Sequence, residues 1–328
     1  MRALVLTGPA SDASTTAVQD IAVPRPGPGE VAIDVTCAGI NFIDVMARRG
    51  DPGYATSWPY VPGLEVAGTV REVGEGVRGR RVGDPVAAFT AGGGLAQVAI
   101  AADAVTVSVP ESVSLAVAAS APLMWSTAVL LLTEVARIRA GESILMHSAA
   151  GGVGSAVAQV ARLLGAGTTI GTVGLAGKVS AADAAGWDVA LARGPGLAAA
   201  VRAVTPAGVD IVLDPTGTGL LDLDLEIAAP GARVVLFGNA AGGAPAPLPT
   251  AGRLIGGNVG VLGLSVSRLA TAAGQRYAAA LAHALAMLET GRLSAKPALV
   301  DSLSDVAAVH DLLAAGDGRG KYVVAVDR

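Results

Sequence analysis

Apolar positions follow two rhythms along this chain. Over roughly the first 110 residues they come in short runs cut by Gly and Pro, the mark of strands joined by turns. Arg2 to Leu6 reads as a strand. Pro24 to Gly29 is a rigid turn, and Glu30 to Thr36 alternates in the strand period. Val66 to Val73, the Val82–Val86 entrance and Leu95 to Ile100 read the same way. Helical length and composition appear next, in Leu115–Ala121 and Ser126–Ile138.

From Ser143 onward, apolar strands alternate with helices. Strands are predicted at Ser143–His147, Thr168–Val173, Val189–Ala192, Asp210–Leu213, Arg233–Phe237 and Val259–Val266. Helices are predicted between them at Gly152–Leu164, Val179–Ala185, Leu197–Val204 and Gly219–Ala228. This alternation builds a parallel sheet with helices on both faces, an α/β fold. A helix at Arg276–Thr290 and a last strand at Lys321–Val326 follow.

Composition narrows the picture. Of 328 residues, 52% are hydrophobic and 15% charged, enough to fill two cores, so a disordered chain is excluded. The net charge of −4 comes with no basic tract, so nucleic acid is not an expected partner. One cysteine, Cys37, cannot form an intrachain disulfide, which points to a reducing, cytoplasmic setting. Val113 to Leu132 is long enough to cross a bilayer, but its serines and Pro122 favour a buried helix pair over a membrane span. A hydrolase elbow of the Gly-Xaa-Ser-Xaa-Gly type is missing, so a serine triad has no support.

The strongest chemical motif is Ala149-Ala150-Gly151-Gly152-Val153-Gly154, placed between a strand and a helix. Gly151 lets backbone approach a pyrophosphate, Gly152 and Val153 offer helix N-terminal amides, and Gly154 permits close packing of helix on strand. A dinucleotide is the expected ligand; the bland alternative is a glycine turn that binds nothing. The strand after this motif ends in Thr172-Val173-Gly174 with no carboxylate, and the next charge is Lys178. A carboxylate would repel a 2′-phosphate, whereas Lys178 pairs with one, so NADPH is expected over NADH. The alternative for Lys178 is an ordinary solvated lysine at a helix start.

Several short segments, in this order and spacing, resemble the zinc-independent quinone oxidoreductase, or zeta-crystallin-like, branch of the medium-chain dehydrogenase/reductase superfamily. They are Gly27–Val31, Ala38–Asp44 (with Asn41-Phe42-Ile43-Asp44), Pro62–Gly68, Val82–Asp84, Ala149–Gly154, Ile170–Gly174, Leu236–Asn239 and Gly320-Lys321. The resemblance implies a GroES-like β-barrel substrate domain made from 1–119 and 264–328, and a doubly wound Rossmann cofactor domain at 120–263. It places Asn41 and Thr127 at the nicotinamide end and Ala150, Gly151, Gly152, Val153 and Gly154 at the pyrophosphate. Thr172, Gly174 and Lys178 fall at the 2′-phosphate end, Phe237, Gly238 and Asn239 on the nicotinamide side, and Lys321 at the C-terminal lip. Asp44 braces the loop that carries Asn41. A tyrosine common in the family near the adenine ribose phosphate corresponds to Ala192 here, and another, two residues after Asp44, to Met46; Tyr54 is the candidate to replace the latter.

The same resemblance argues against a zinc alcohol dehydrogenase. The positions of the catalytic Cys and His ligands correspond to Asn41 and Leu64, and neither fits zinc. His147, His283 and His310 are scattered, with His147 read as a hydrogen-bonded core histidine, and Glu65 as a buried structural carboxylate. Without a Lewis acid, an electron-poor acceptor is expected: a quinone or an α,β-unsaturated carbonyl. Asn41 and Tyr54 are the catalytic candidates, with Tyr60 a further candidate by location. Two other readings stay open. One is an enoyl-thioester reductase, for which Arg48, Arg49, Arg78, Arg80 and Arg81 would form a basic rim. The other is a non-catalytic NADPH-binding protein. The apolar Val259–Val266 edge is expected to pair two copies into a homodimer. Loops 51–59 and 242–252 are expected to set the substrate pocket.

Overall fold

The computed structural model describes residues 1–55 and 57–326; Thr56, within the 51–59 loop, lies outside the described residues. The chain forms two compact units, Met1–Thr127 together with Val266–Arg328, and Ala128–Ser265. The strands of the first segment are β1 (Arg2–Leu6), β2 (Thr16–Asp20), β3 (Glu30–Ile40), β4 (Glu65–Val73), β5 (Pro85–Phe89), β6 (Val98–Ala102) and β7 (Thr106–Ser108). β1 and β2 pair antiparallel as a separate hairpin. β3 is the long organiser. One of its edges pairs with β4, while its first half pairs with β6, from Glu30↔Ala102 to Asp34↔Val98. The Leu95–Ile100 expectation is displaced here: Leu95 and Ala96 pack beneath β1, and the strand starts only at Val98.

The second unit holds β8 (Ile144–His147), β9 (Thr169–Val173), β10 (Val189–Ala192), β11 (Val209–Asp214), β12 (Ala228–Leu236) and β13 (Gly260–Gly263). They form one six-stranded sheet in the order β10-β9-β8-β11-β12-β13, every pairing parallel. This is the doubly wound Rossmann order, in which the chain starts in the middle of the sheet and winds outward both ways. Central strands are apolar on both faces, as parallel strands covered by helices must be: Leu145, Ile170, Val212 and Val234 belong to one core with Leu197, Val201 and Ile227. The helix expected at Gly219–Ala228 is Leu221–Ile227. The last strand is shorter than Val259–Val266, because Val266 already opens a helix, Val266–Ala272, of the first unit.

The chain then returns to the first unit with the helix Gly274–Glu289, β14 (Ala298–Val300), the helix Val306–Ala314 and β15 (Tyr322–Ala325). β15 takes the second half of the β3 edge, Tyr322↔Ile40 to Ala325↔Cys37, completing the sheet β14-β15-β3-β4-β5-β7. Its core gathers Ile33, Val35, Ile40, Val66, Val86, Leu95 and Val324.

The long apolar helical stretch Leu115–Val135 has a mean hydropathy of 1.9 and is 78% buried within the protein. It contains two wide π-helical turns, Ala121–Trp125 and Leu131–Val135, and Arg137 then closes the expected Ser126–Ile138 helix early, at φ 51°. The Ala121–Trp125 turn belongs to the first unit, not to the 120–263 segment, because two long-range bonds hold it there. The Leu123 amide donates to Glu65 Oε2 at 2.6 Å, and the buried Tyr277 hydroxyl donates to the Pro122 carbonyl.

Candidate functional site

In the first unit, a polar cluster forms where β3 ends. Asn41 leaves the strand in an extended conformation and caps the helix Phe42–Arg49, a helix the apolar pattern alone did not announce. Asp44, in its first turn, accepts the Asn41 amide at 2.8 Å and the Gly63 amide at 3.0 Å. The bracing residue thus sits on a helix, where it neutralises an orphan N-terminal donor and ties in the loop before β4. Full burial raises the Asp44 carboxyl to about 6 despite these two bonds.

The β3–β4 register puts Glu65 beside Gly39. Any side chain at Gly39 would collide with it, a Cβ there lying 2.1 Å from Glu65 Oε1. The β3–β15 register brings Lys321 to the same place. Its ammonium lies 2.5 Å from Glu65 Oε1, 2.7 Å from Asn41 Oδ1 and 2.9 Å from the Ile40 carbonyl, which uses all three donors. Asn41 Nδ2 in turn donates to Glu65 Oε1 at 2.9 Å and to the Gly39 carbonyl at 3.3 Å. Glu65 is fully buried and Lys321 nearly so, so the pair is dry.

This arrangement answers the metal question chemically. Asn41, Leu64 and Glu65 stand together, but Leu64 has no donor atom, and the Lys321 cation occupies the carboxylate. Among the described residues no group of three or more His, Cys, Asp and Glu side chains is placed to hold a metal ion. The residues present do not fit zinc.

Tyr54 lies in the loop beyond the helix Phe42–Arg49 and is half-buried. Burial, and then the nearby Asp51 carboxylate, raise its pKa, so the phenol keeps its proton at neutral pH. Tyr60 bonds to β1 through its backbone, and burial pushes its hydroxyl up to about 12. Thr127 is buried, 4% exposed, in the helix Ser126–Leu130.

In the second unit, the C-terminal ends of the strands line up along one edge. The pairings His147↔Thr172, Leu213↔Met146 and Asp214↔Leu236 fix that edge. The glycine motif leaves β8 through Ser148 in the left-handed region, φ 60°, and turns at Gly151 into the helix Gly152–Leu163. Gly151 caps the helix without a side-chain acceptor, so the cap itself contributes no anion. Two glycines make the close approach possible. A Cβ on Gly154 would lie 2.5 Å from the Ala149 carbonyl, and one on Gly171 in β9 would meet both Ala149 and the Trp187 ring at 2.7 Å. Both glycines let the turn, the helix and β9 pack tightly, and the Gly151–Gly154 amides are left at the helix N-terminus, an arrangement suited to a pyrophosphate.

Ala150, Gly152 and Val153 line the same turn, and Gly174 and half-buried Lys178 follow β9 on the same edge. Phe237, Gly238 and Asn239 follow β12. Asn239 Nδ2 donates to the Gly243 carbonyl at 3.0 Å, which holds its carboxamide, and Gly238 packs on the Pro215 carbonyl. Thr172 corrects its expected role. Its hydroxyl is turned inward, 2.6 Å from His147 Nδ1, and it is fully buried, so it supports the floor and offers no side-chain contact to a ligand. His147 Nε2 lies 2.9 Å from Asp224 Oδ1, the hydrogen-bonded core histidine the sequence suggested. Burial raises the Asp224 pKa despite that bond.

One residue of this edge escaped the sequence reading. Ala192, at the position of the family's tyrosine, is exposed at the end of β10, and Arg193 directly after it bonds through its amide to the Val173 carbonyl at 2.8 Å. Its guanidinium lies against Gly174, where a Cβ would come within 2.8 Å of Nη2. A basic residue just past the third strand was the available signal.

A GroES-like fold and a Rossmann fold on one chain define an alcohol-dehydrogenase-type protein. Comparisons agree: a family model described as "Alcohol dehydrogenase GroES-like domain" matches residues 27–111, and one described as "Zinc-binding dehydrogenase" matches residues 152–285. A quinone oxidoreductase of Rattus norvegicus is 34% identical over 222 residues, covering 67% of each chain. The solved structure of Escherichia coli quinone oxidoreductase complexed with NADPH superimposes with a TM-score of 0.90 at 26% identity, covering 99% of this chain and 100% of that one. The chain belongs to the quinone oxidoreductase, zeta-crystallin-like branch of the medium-chain dehydrogenase/reductase superfamily. Similarity also extends to the synaptic vesicle membrane protein VAT-1 homolog-like of Mus musculus, 36% identical over 225 residues and 67% of this chain. The chain spans about half the length of three VAT-1 relatives it matches, 53%, 48% and 49%.

Proposed function

We propose that the protein binds NADPH along the C-terminal edge of the Rossmann sheet and passes a hydride, without zinc, to a quinone or an electron-poor α,β-unsaturated carbonyl. The observation that carries this reading is the glycine turn Gly151–Gly154 at a helix N-terminus, beside a second strand that ends without a carboxylate and with Lys178 following. The solved NADPH complex of the Escherichia coli quinone oxidoreductase supports the choice of cofactor, and the rat quinone oxidoreductase supports the class of acceptor.

NADPH supplies the hydride. The chain's own part is to bind and orient. Gly151, Gly152, Val153 and Gly154 present amides to the pyrophosphate, Lys178 meets the 2′-phosphate, and Asn239 lies on the nicotinamide side with Phe237 and Gly238. In the first unit, Asn41, Thr127 and Lys321 are the residues we assign to the nicotinamide, by the family resemblance. The cluster around Glu65 has no donor to spare, since every N–H of Lys321 Nζ and Asn41 Nδ2 is committed. Its role is to hold Asn41 in place. The proton that follows the hydride then comes from Tyr54, which stays protonated at neutral pH, or from water. Quinones and enones suit such a site because they spread the incoming charge themselves.

We place the protein in the cytoplasm, in keeping with the single free Cys37, and as a homodimer paired through the open edge of β13. The test is NADPH oxidation by chelator-treated protein with 1,4-benzoquinone, 9,10-phenanthrenequinone, a simple enone and crotonyl-CoA, with NADH as control. Turnover of quinones or the enone with NADPH, unaffected by chelator, is expected. Preference for the thioester would make it an enoyl reductase. Bound NADPH with no turnover would leave a binding protein.

A further inference from the structure

Arg193 starts at the end of β10, yet its guanidinium lies across the end of the neighbouring strand, against Gly174. One of its nitrogens, Nη1, is buried with no hydrogen-bond partner. Burial weighs against the cation, and Asp214 at the end of β11 gives it electrostatic support. That carboxylate does not satisfy it. Asp214 Oδ1 takes the amide and hydroxyl of Thr216, both at 2.6 Å, and Oδ2 has no hydrogen-bond partner.

A guanidinium keeps its charge even when partly buried, and its donors form a planar fork. A buried donor left unmatched costs stability, so such a group persists where a ligand completes it. The surroundings define that ligand. The ends of β9 and β10 carry no carboxylate, from Thr172 to Leu175 or from Leu191 to Ala192, so on that side no acid repels an anion. Gly174 leaves the approach open, because any larger residue would press on Nη2. In a doubly wound sheet this crevice, beside the second strand, receives the adenosine half of a dinucleotide.

We propose that Arg193 grips the 2′-phosphate of NADPH, as a second cation beside Lys178, and so sets the preference for NADPH over NADH. This rests on the cofactor reading above. The fork makes two parallel bonds to phosphate oxygens, whereas the 2′-hydroxyl of NADH offers no charge to meet it.

The test is equilibrium binding, followed by calorimetry, of NADPH, NADH, 2′,5′-ADP and 5′-AMP to the wild type and to Arg193→Ala, Arg193→Gln and Arg193→Lys. Thermal melts of the unliganded variants verify folding. Loss of Arg193 is expected to weaken NADPH and 2′,5′-ADP by about tenfold or more, the range for a charge-assisted bond. NADH and 5′-AMP should change by no more than about twofold, with Arg193→Lys intermediate. The dependence of NADPH affinity on salt should become shallower in Arg193→Ala and Arg193→Gln. If the wild type prefers NADPH and the variants keep the same ratio, the assignment is wrong. Equal weakening of all four ligands would mean that Arg193 stacks on adenine, and would overturn it too. A wild type that binds NADPH no better than NADH would defeat the cofactor reading itself.

Discussion

At the scale of single residues, the Asn41–Glu65–Lys321 cluster makes the sharpest demand. Glu65 is a carboxylate in a dry site, and among the described residues Lys321, 2.5 Å away, is the cation paired with it. Replacing Lys321 with Met leaves that charge uncompensated, which costs about 3–5 kcal/mol. Adding Glu65→Gln to Lys321→Met removes the stranded charge and should restore most of the loss. Urea unfolding of the two single variants and the double variant measures this coupling; additive losses would show that the two groups act independently. The sequence made each of these residues visible, but as separate players: Asn41 and Lys321 at a nicotinamide, Glu65 as a lone structural acid. Their mutual bonding spans the whole chain, between β3 and β15, and only the strand registers bring it about. Arg193 was hidden for the opposite reason. A side chain's direction across an adjacent strand is not written in its own segment.

At the scale of elements, the middle of the chain was readable because parallel strands must be apolar throughout and their helices alternate with them. β8 to β12 and the helices between them fall within a few residues of the expected places, whereas short helices such as Phe42–Arg49, Ala251–Gly257 and Val306–Ala314 did not stand out. Alanines blur helical periodicity in Val306–Ala314, and three glycines mask the helix Ala251–Gly257. For Phe42–Arg49 the readable signal was the Asn41…Asp44 spacing of a cap. The join of β8 to the helix Gly152–Leu163 yields a prediction at this scale. Gly154→Ala puts a Cβ 2.5 Å from the Ala149 carbonyl, so helix and turn must separate. A loss of about 1–3 kcal/mol is expected from such overpacking, together with weaker NADPH binding, since the same amides would move. Denaturant curves and NADPH titration check both; a variant as stable and as tight as the wild type would show that the turn has slack. The β13 edge gives another. Leu262 is 37% exposed on a strand paired on one side by β12. If two copies join there, Leu262→Lys should shift a dimer to monomer in sedimentation equilibrium, and a monomeric wild type would remove the idea.

At the scale of the whole molecule, two buried groups of the first unit contribute to the response to acid in opposite senses. His310 is fully buried in the helix Val306–Ala314, with neither ring nitrogen bonded. Burial, followed by the nearby Arg48 cation, lowers its pKa from 6.5 to about 4, against a weaker pull from Asp311. Between those values the unfolded chain binds a proton that the folded chain refuses, so this group makes stability fall as pH falls. Asp44 behaves in reverse. Its carboxyl is raised from 3.8 to about 6, so between those values the folded chain holds a proton that the unfolded chain has lost, and stability falls as pH rises. Each contribution amounts to about 3 kcal/mol over its full range, and the ranges nearly coincide, so the two largely cancel in the wild type. Single variants expose them. Relative to the wild type, His310→Leu should gain stability steadily as pH drops from about 6.5 to 4, and Asp44→Asn should lose it over nearly the same interval. The slope of unfolding free energy against pH reads this directly, whatever each substitution does to the baseline through lost bonds or altered packing. Parallel slopes for all three proteins would mean that neither group titrates where its burial places it.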